Sequence, residues 1–122
     1  MHKFAIVVAL LAGACGGDDS GGSSGVDSAK QVKTLSSSEI TTECQWGIAL
    51  EGGAGHQTMC DAQTTLTVHT QAQCEASLAA LSSSTTCTMT VAQLEACTQA
   101  QADDPCAALE SQACAAVLAC AQ

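Results

Sequence analysis

Nine of the 122 residues are cysteine. That density, several times ordinary usage, confines the chain to a scaffold held by covalent staples or by metal. The cysteines stand at positions 15, 44, 60, 74, 87, 97, 106, 114 and 120, and no two form a C-x-x-C pair. An odd count requires one cysteine to differ from the rest. Cys15 stands apart, near the N-terminus and far ahead of the next, Cys44.

The surroundings of Cys15 explain the odd thiol. Met1-His2-Lys3 is a short basic start, and Phe4 to Leu11 is an apolar run. The run falls well below the ~20 residues of a membrane-spanning helix and fits the apolar region of an export signal. Ala12-Gly13-Ala14-Cys15 follows, and here the chain resembles the signals of bacterial lipoproteins, in which small residues precede a cysteine that is acylated after cleavage. The usual leucine three residues before that cysteine is replaced by Ala12, and Ala12-Gly13-Ala14 also satisfies the A-x-A rule of ordinary signal peptidase. Both readings cut before Cys15 and differ in whether it carries lipid. Lipidation leaves eight cysteines, an even number for disulfides. Gly16 to Gly25, rich in Gly, Ser and Asp with no apolar side chain, suits a flexible tether. The expected organisation is a signal peptide over 1–14, a lipid-anchored tether over 15–34 and a cysteine-rich domain over 35–122. The lysine-poor tail offers no polybasic help, so the membrane would be held through lipid at Cys15 alone.

From Leu35 onward helix signals dominate. Ser36 and Glu39 make a capping box, Ile40, Cys44 and Ile48 follow at helical spacing, and Gly52-Gly53 is a stop, which predicts a helix over 37–50. The segments His56 to Cys60 and Thr64 to His69 suit a small hairpin turning at Asp61-Ala62-Gln63. Thr70 and Thr90 each precede a glutamine by three residues and open an Ala-Gln-x-Glu-Ala core, predicting similar helices over 71–81 and 91–101. Asp104-Pro105 reads as cap and first residue of a last helix over 105–119, breakable at Ser111. The fold class expected is mainly α, a small disulfide-stapled helical domain with one short β-hairpin near 56–69.

Only fifteen Ile, Leu, Val, Met or Trp residues lie between Ser36 and Gln122. So thin a core offsets chain entropy poorly, and disulfides at roughly 2–4 kcal/mol each can make up the difference. Export supplies the oxidising compartment. Eight cysteines allow 105 pairings. In one unbroken helix Cys114 and Cys120 would lie ~9 Å apart along the axis, beyond the ~7 Å reach of a disulfide. Antiparallel neighbours would join Cys97 to Cys114, Cys87 to Cys120 and Cys74 to Cys106, with Cys44–Cys60 closing the first loop.

Composition removes several functions. Twelve acids against three lysines, with no arginine, give a formal charge of −9, the wrong sign for nucleic acid. His56, Cys60 and His69 could be drawn as a metal cluster, but they lack zinc-site spacing, so no metal and no cofactor is expected. No G-x-S-x-G elbow is present, the serines cluster in caps and in Ser82-Ser83-Ser84, and Gly52 to Gly55 lacks the Lys-Ser/Thr of a phosphate loop. Asp103-Asp104 suits a helix N-terminus. Trp46 reads as a core residue beside Cys44.

Cys44-Gln45-Trp46, Gly52-Gly53-Ala54-Gly55, Thr90 to Cys97 and the closing Cys106, Cys114 and Cys120 resemble a loose class of small cysteine-rich lipoproteins abundant in myxobacteria. The resemblance covers most of residues 36–120. It implies an envelope location and disulfide-rich helices, and it carries no catalytic residues. The expected function is therefore that of a non-enzymatic, lipid-anchored cell-envelope protein with a binding or structural role. An exported inhibitor or effector of another protein is the alternative, with the 51–59 loop as its contact. A small exported hydrolase would need a histidine touching a nucleophile in a pocket.

Overall fold

The computed structural model describes residues 22–121; the signal segment 1–14, the acylation site at Cys15 and the start of the tether lie outside them. Four α-helices and one hairpin make up the regular structure of the described residues: α1 (Ser37–Leu50), β1 (Gln57–Met59), β2 (Thr65–Thr67), α2 (Gln71–Ala80), α3 (Val91–Asp103) and α4 (Ala115–Cys120). The chain is thus a small, disulfide-stapled, mainly helical domain. No described helix is long and apolar enough to cross a membrane.

Local chemistry sets each helix start. Ser36, Thr70 and Thr90 all close two-way capping boxes, with Glu39, Gln73 and Gln93 respectively. Each satisfies a backbone N–H that would otherwise be orphaned at the helix end. Helix α1 stops in a Schellman arrangement. The amide of Gly53 donates to the Ile48 carbonyl at 2.8 Å and that of Gly52 to Ala49 at 3.3 Å. Gly52 takes φ +104°, a conformation open to glycine and costly for other residues.

The hairpin pairs Gln57 with Thr67, Thr58 with Leu66 and Met59 with Thr65. Its turn is held by Asp61, whose Oδ1 accepts from the amides of Gln63 and Thr64, both at 2.8 Å.

Two expectations about chain organisation are corrected. Residues 22–34 are not tether. Val26 and Val32 are buried, at 8% and 1% exposure, in the same cluster as Leu35, Ile40 and Cys44. This strap also completes the start of α3: Val91 donates to the Lys30 carbonyl and Ala92 to that of Ser28. The strap therefore belongs to the folded domain, and a boundary at Thr34 does not hold.

The final helix is also shorter than 105–119. Asp104 ends α3 and accepts from the Ala107 amide at 3.3 Å, closing only a turn. Two 3-10 turns follow, Ala108–Glu110 and Gln112–Cys114, separated at Ser111, whose extended backbone interrupts the helix. Only Ala115–Cys120 is α-helical.

The four disulfides are Cys44–Cys74, Cys60–Cys106, Cys87–Cys120 and Cys97–Cys114. The last two follow the expected neighbours. The pairs Cys44–Cys60 and Cys74–Cys106 are corrected, because their partners exchange. Helix α1 packs against α2, so Cys44 meets Cys74 at the start of α2. The chain runs on from Cys44 through six more helical residues, the glycine turn and β1 before reaching Cys60, which is carried instead to the loop beyond α3.

Candidate functional site

The helix pattern that builds the core also buries acids. In α1 the inward stripe is Ile40, Glu43, Cys44 and Gly47, the i, i+3, i+4, i+7 spacing of one helix face. In α3 it is Val91, Glu95, Cys97 and Thr98. Gly47 lets the two stripes close, since a Cβ built there would stand 3.3 Å from the Thr98 methyl. Glu43 and Glu95 are only 3% and 6% exposed on this seam.

Ser24 of the strap sits over the pair. Its amide and hydroxyl both donate to Glu95 Oε2, at 3.2 and 2.6 Å. Both Glu43 oxygens are buried without a donor among the described residues. Burial, the largest influence, pushes the Glu43 carboxyl up from 4.5 to about 8, and the neighbouring Glu95 adds to the rise, while Ser24 opposes it. Glu43 therefore keeps its proton near neutrality, and its hydroxyl can turn toward Glu95 while its carbonyl oxygen stays without a donor among the described residues.

Beside the seam lies a two-lobed cleft. One lobe, about 200 Å³, is bounded by Glu43, Ile48, Glu51, His69, Leu78 and Leu94. The other, about 380 Å³, lies between the hairpin and the segment after α3, with His56, Thr58, Leu66, Gln101, Pro105 and Leu109 along it. Glu51, Thr67, Val68 and Gln101 border both. Burial raises the Glu51 carboxyl above its usual range, and His69 partly offsets this. The Cys60–Cys106 disulfide clamps the hairpin to the loop that follows α3, fixing the width of the larger lobe.

The sequence-derived candidates are distributed differently. Cys60 is in a disulfide, and His56 and His69 are exposed residues of different lobes. No group of three or more His, Cys, Asp or Glu able to hold a metal occurs among the described residues. Trp46 is not a core residue; it is half-buried and outside the buried clusters. Two residues along a helix is ~200° of rotation, so Trp46 points away from the face that buries Cys44. The acids Glu43, Glu51 and Glu95 were not foreseen as site residues. The available signal was an acid at an apolar-stripe position in each of two capped helices.

No known protein family matches the chain, and neither a curated protein nor a solved structure is detectably similar to it.

Proposed function

We propose that this chain is an exported, lipid-anchored cell-envelope protein whose domain binds a small ligand in the two-lobed cleft without transforming it. The cleft carries the reading: a recess of mixed lining, with Ile48, Val68, Leu78, Leu94 and Leu109 on its walls and Glu51 and Gln101 between its lobes, and a hairpin fixed above by a staple. A concave site that combines apolar walls with a few placed polar groups is the usual form of a small-molecule site. Four disulfides belong to an oxidising compartment outside the cytoplasm, and the signal-like start with Cys15 supports anchoring through acyl chains.

Native mass spectrometry of the full chain taken from the envelope fraction tests both halves. The expected result is acyl mass on an N-terminal Cys15, together with a bound small molecule that Ala102→Trp, which fills the larger lobe, removes. A mature Cys15 without acyl mass would overturn the anchor, and a ligand retained by the filled variant would overturn the cleft.

A second reading has its own support. Met59 is the most exposed large apolar residue described, at 73%, and it adjoins the Cys60 staple on the rigid hairpin. An exported inhibitor or effector would use such a residue as an anchor. A protein partner lost with Met59→Ala but kept with Ala102→Trp would favour this reading.

A further inference from the structure

Covalent staples are unevenly placed. The strap and the first half of α1, residues 22–43, contain no cysteine, so the strap is held by noncovalent contacts alone. Its leading end rests on Ser24, whose two hydrogen bonds reach Glu95 beside Glu43. The strap can therefore lift while all four disulfides stay closed.

We propose that the strap is a proton-operated latch, seated while Glu43 retains its proton beside Glu95, and released from its leading end when Glu43 loses that proton. With the strap seated, ionised Glu43 would place a buried charge beside a second carboxyl group, with no cation among the described residues paired to it. With it lifted, Glu43 meets water and ionises at its ordinary value.

The surrounding charges leave this balance intact. From the strap, Ser24 faces the pair, and Lys30 is committed to Glu39 at 2.7 Å. From α3 the facing group is Glu95. On α1 itself, Glu39 holds Lys30 and Glu51 lies at the far end with His69. From α2, Glu75 accepts from Gln71 at 2.6 Å. Among the described residues, the groups that act on Glu43 are Ser24 and Glu95, and neither a lysine nor a histidine.

Glu43 ionises near 4.5 when exposed and at about 8 when covered. One proton is thus released on opening between those values, and the opening equilibrium should rise by up to tenfold per pH unit there, then level off. Releasing residues 22–27 would add ~20 Å of chain at 3.3–3.6 Å per residue, lengthening the connection between the domain and Cys15.

Site-resolved amide exchange by NMR on the full chain, from pH 5 to 9, tests the latch. The readout is Ser24, whose amide donates to Glu95 from the leading end; Val32, Val91 and Ala92, whose amide hydrogen bonds tie residues 28–32 to the domain, serve as internal references. After correction for intrinsic exchange, protection at Ser24 should fall at least tenfold between pH 6 and 8 while amides within α3 keep theirs. Glu43→Gln, whose side-chain amide donates at every pH, should abolish that fall. Ser24→Ala should lower strap protection at every pH with unchanged helicity, which keeps the test decisive if Glu43→Gln does not fold. Strap protection independent of pH in the unaltered protein, or strap and α3 amides losing protection together, would overturn the latch.

Discussion

Gly47 of α1 lies directly against Thr98 of α3, with only 3.3 Å between a Cβ on the glycine and the threonine methyl. The threonine has little freedom to yield, because its hydroxyl donates to the Leu94 carbonyl at 2.9 Å. A glycine in mid-helix costs about 0.5–1 kcal/mol relative to alanine, so its presence here reflects close helix approach rather than helix formation.

Gly47→Val should therefore destabilise the domain by about 1–3 kcal/mol, the usual range for overpacking. Ala49→Val, on the exposed side of the same helix, should cost only the smaller difference in helix propensity. Chemical unfolding of the two variants checks this. Equal losses would show that the α1–α3 seam has room to spare.

The staples should open in an order set by burial. Cys106 is exposed and Cys60 half-buried, whereas Cys97 and Cys114 are 2% and 0% exposed. Thiolate attack needs access to sulfur. Limited reduction followed by alkylation and peptide mapping should label Cys60 and Cys106 first and Cys97 and Cys114 last. Because Cys60–Cys106 clamps the hairpin rather than the core, its loss should widen the larger lobe with little change in helix content. Early labelling of Cys97 would contradict the packing described.

Sequence reasoning reached what local chemistry controls. Three capping boxes, a glycine stop and an aspartate turn are short-range, and each lies where its residues predict. Trp46, the last helix and two disulfide partners depend on which helices pack together, and nothing within a few residues of Cys44 says whether it meets Cys60 or Cys74. The strap is not legible in sequence because Val26 and Val32 are isolated apolar residues in a polar stretch, and their burial depends on a groove built by residues much later in the chain. The acid pair was legible only in part. Glu43 and Glu95 occupy apolar-stripe positions, but their meeting requires the close α1–α3 approach that Gly47 allows.

Stability should peak in mildly acidic solution. Glu39, held down to about 2 chiefly by the Lys30 hydrogen bond and then by the Ser36 amide, contributes stability above its ordinary 4.5 that is lost as pH falls toward 2. Asp61, lowered first by the Gln63 amide, acts in the same direction. Glu43 acts oppositely. Its raised folded value makes its contribution fullest below 4.5, and this is lost as pH rises toward about 8. The urea midpoint should be highest near pH 4.5–5 and decline toward pH 8. Glu43→Gln should make the alkaline limb shallower, leaving the part that Glu51, also raised by burial, contributes, and leave the acid limb unchanged. A midpoint that climbs from pH 5 to 8 would mean that Glu43 is ionised in the folded domain.

Full reduction should abolish cooperative unfolding. Among the described residues, three of the five largest fully buried side chains are cysteines, Cys44, Cys87 and Cys114, and Val32 and Val91 accompany them. The half-cystines thus occupy the space that large aliphatic or aromatic residues fill in other domains. Removing a native disulfide from a small secreted domain typically costs about 2–5 kcal/mol, and a domain's whole net stability is about 5–15 kcal/mol. Loss of all four should exceed that margin, although the capping boxes, at ~1 kcal/mol each, can preserve some fluctuating helix. Thermal unfolding followed by circular dichroism, with and without strong reductant, gives the test. A sigmoidal transition in the oxidised chain should become a shallow slope after reduction and alkylation. A sharp transition surviving complete reduction would show that the aliphatic core suffices and that the staples only reinforce it.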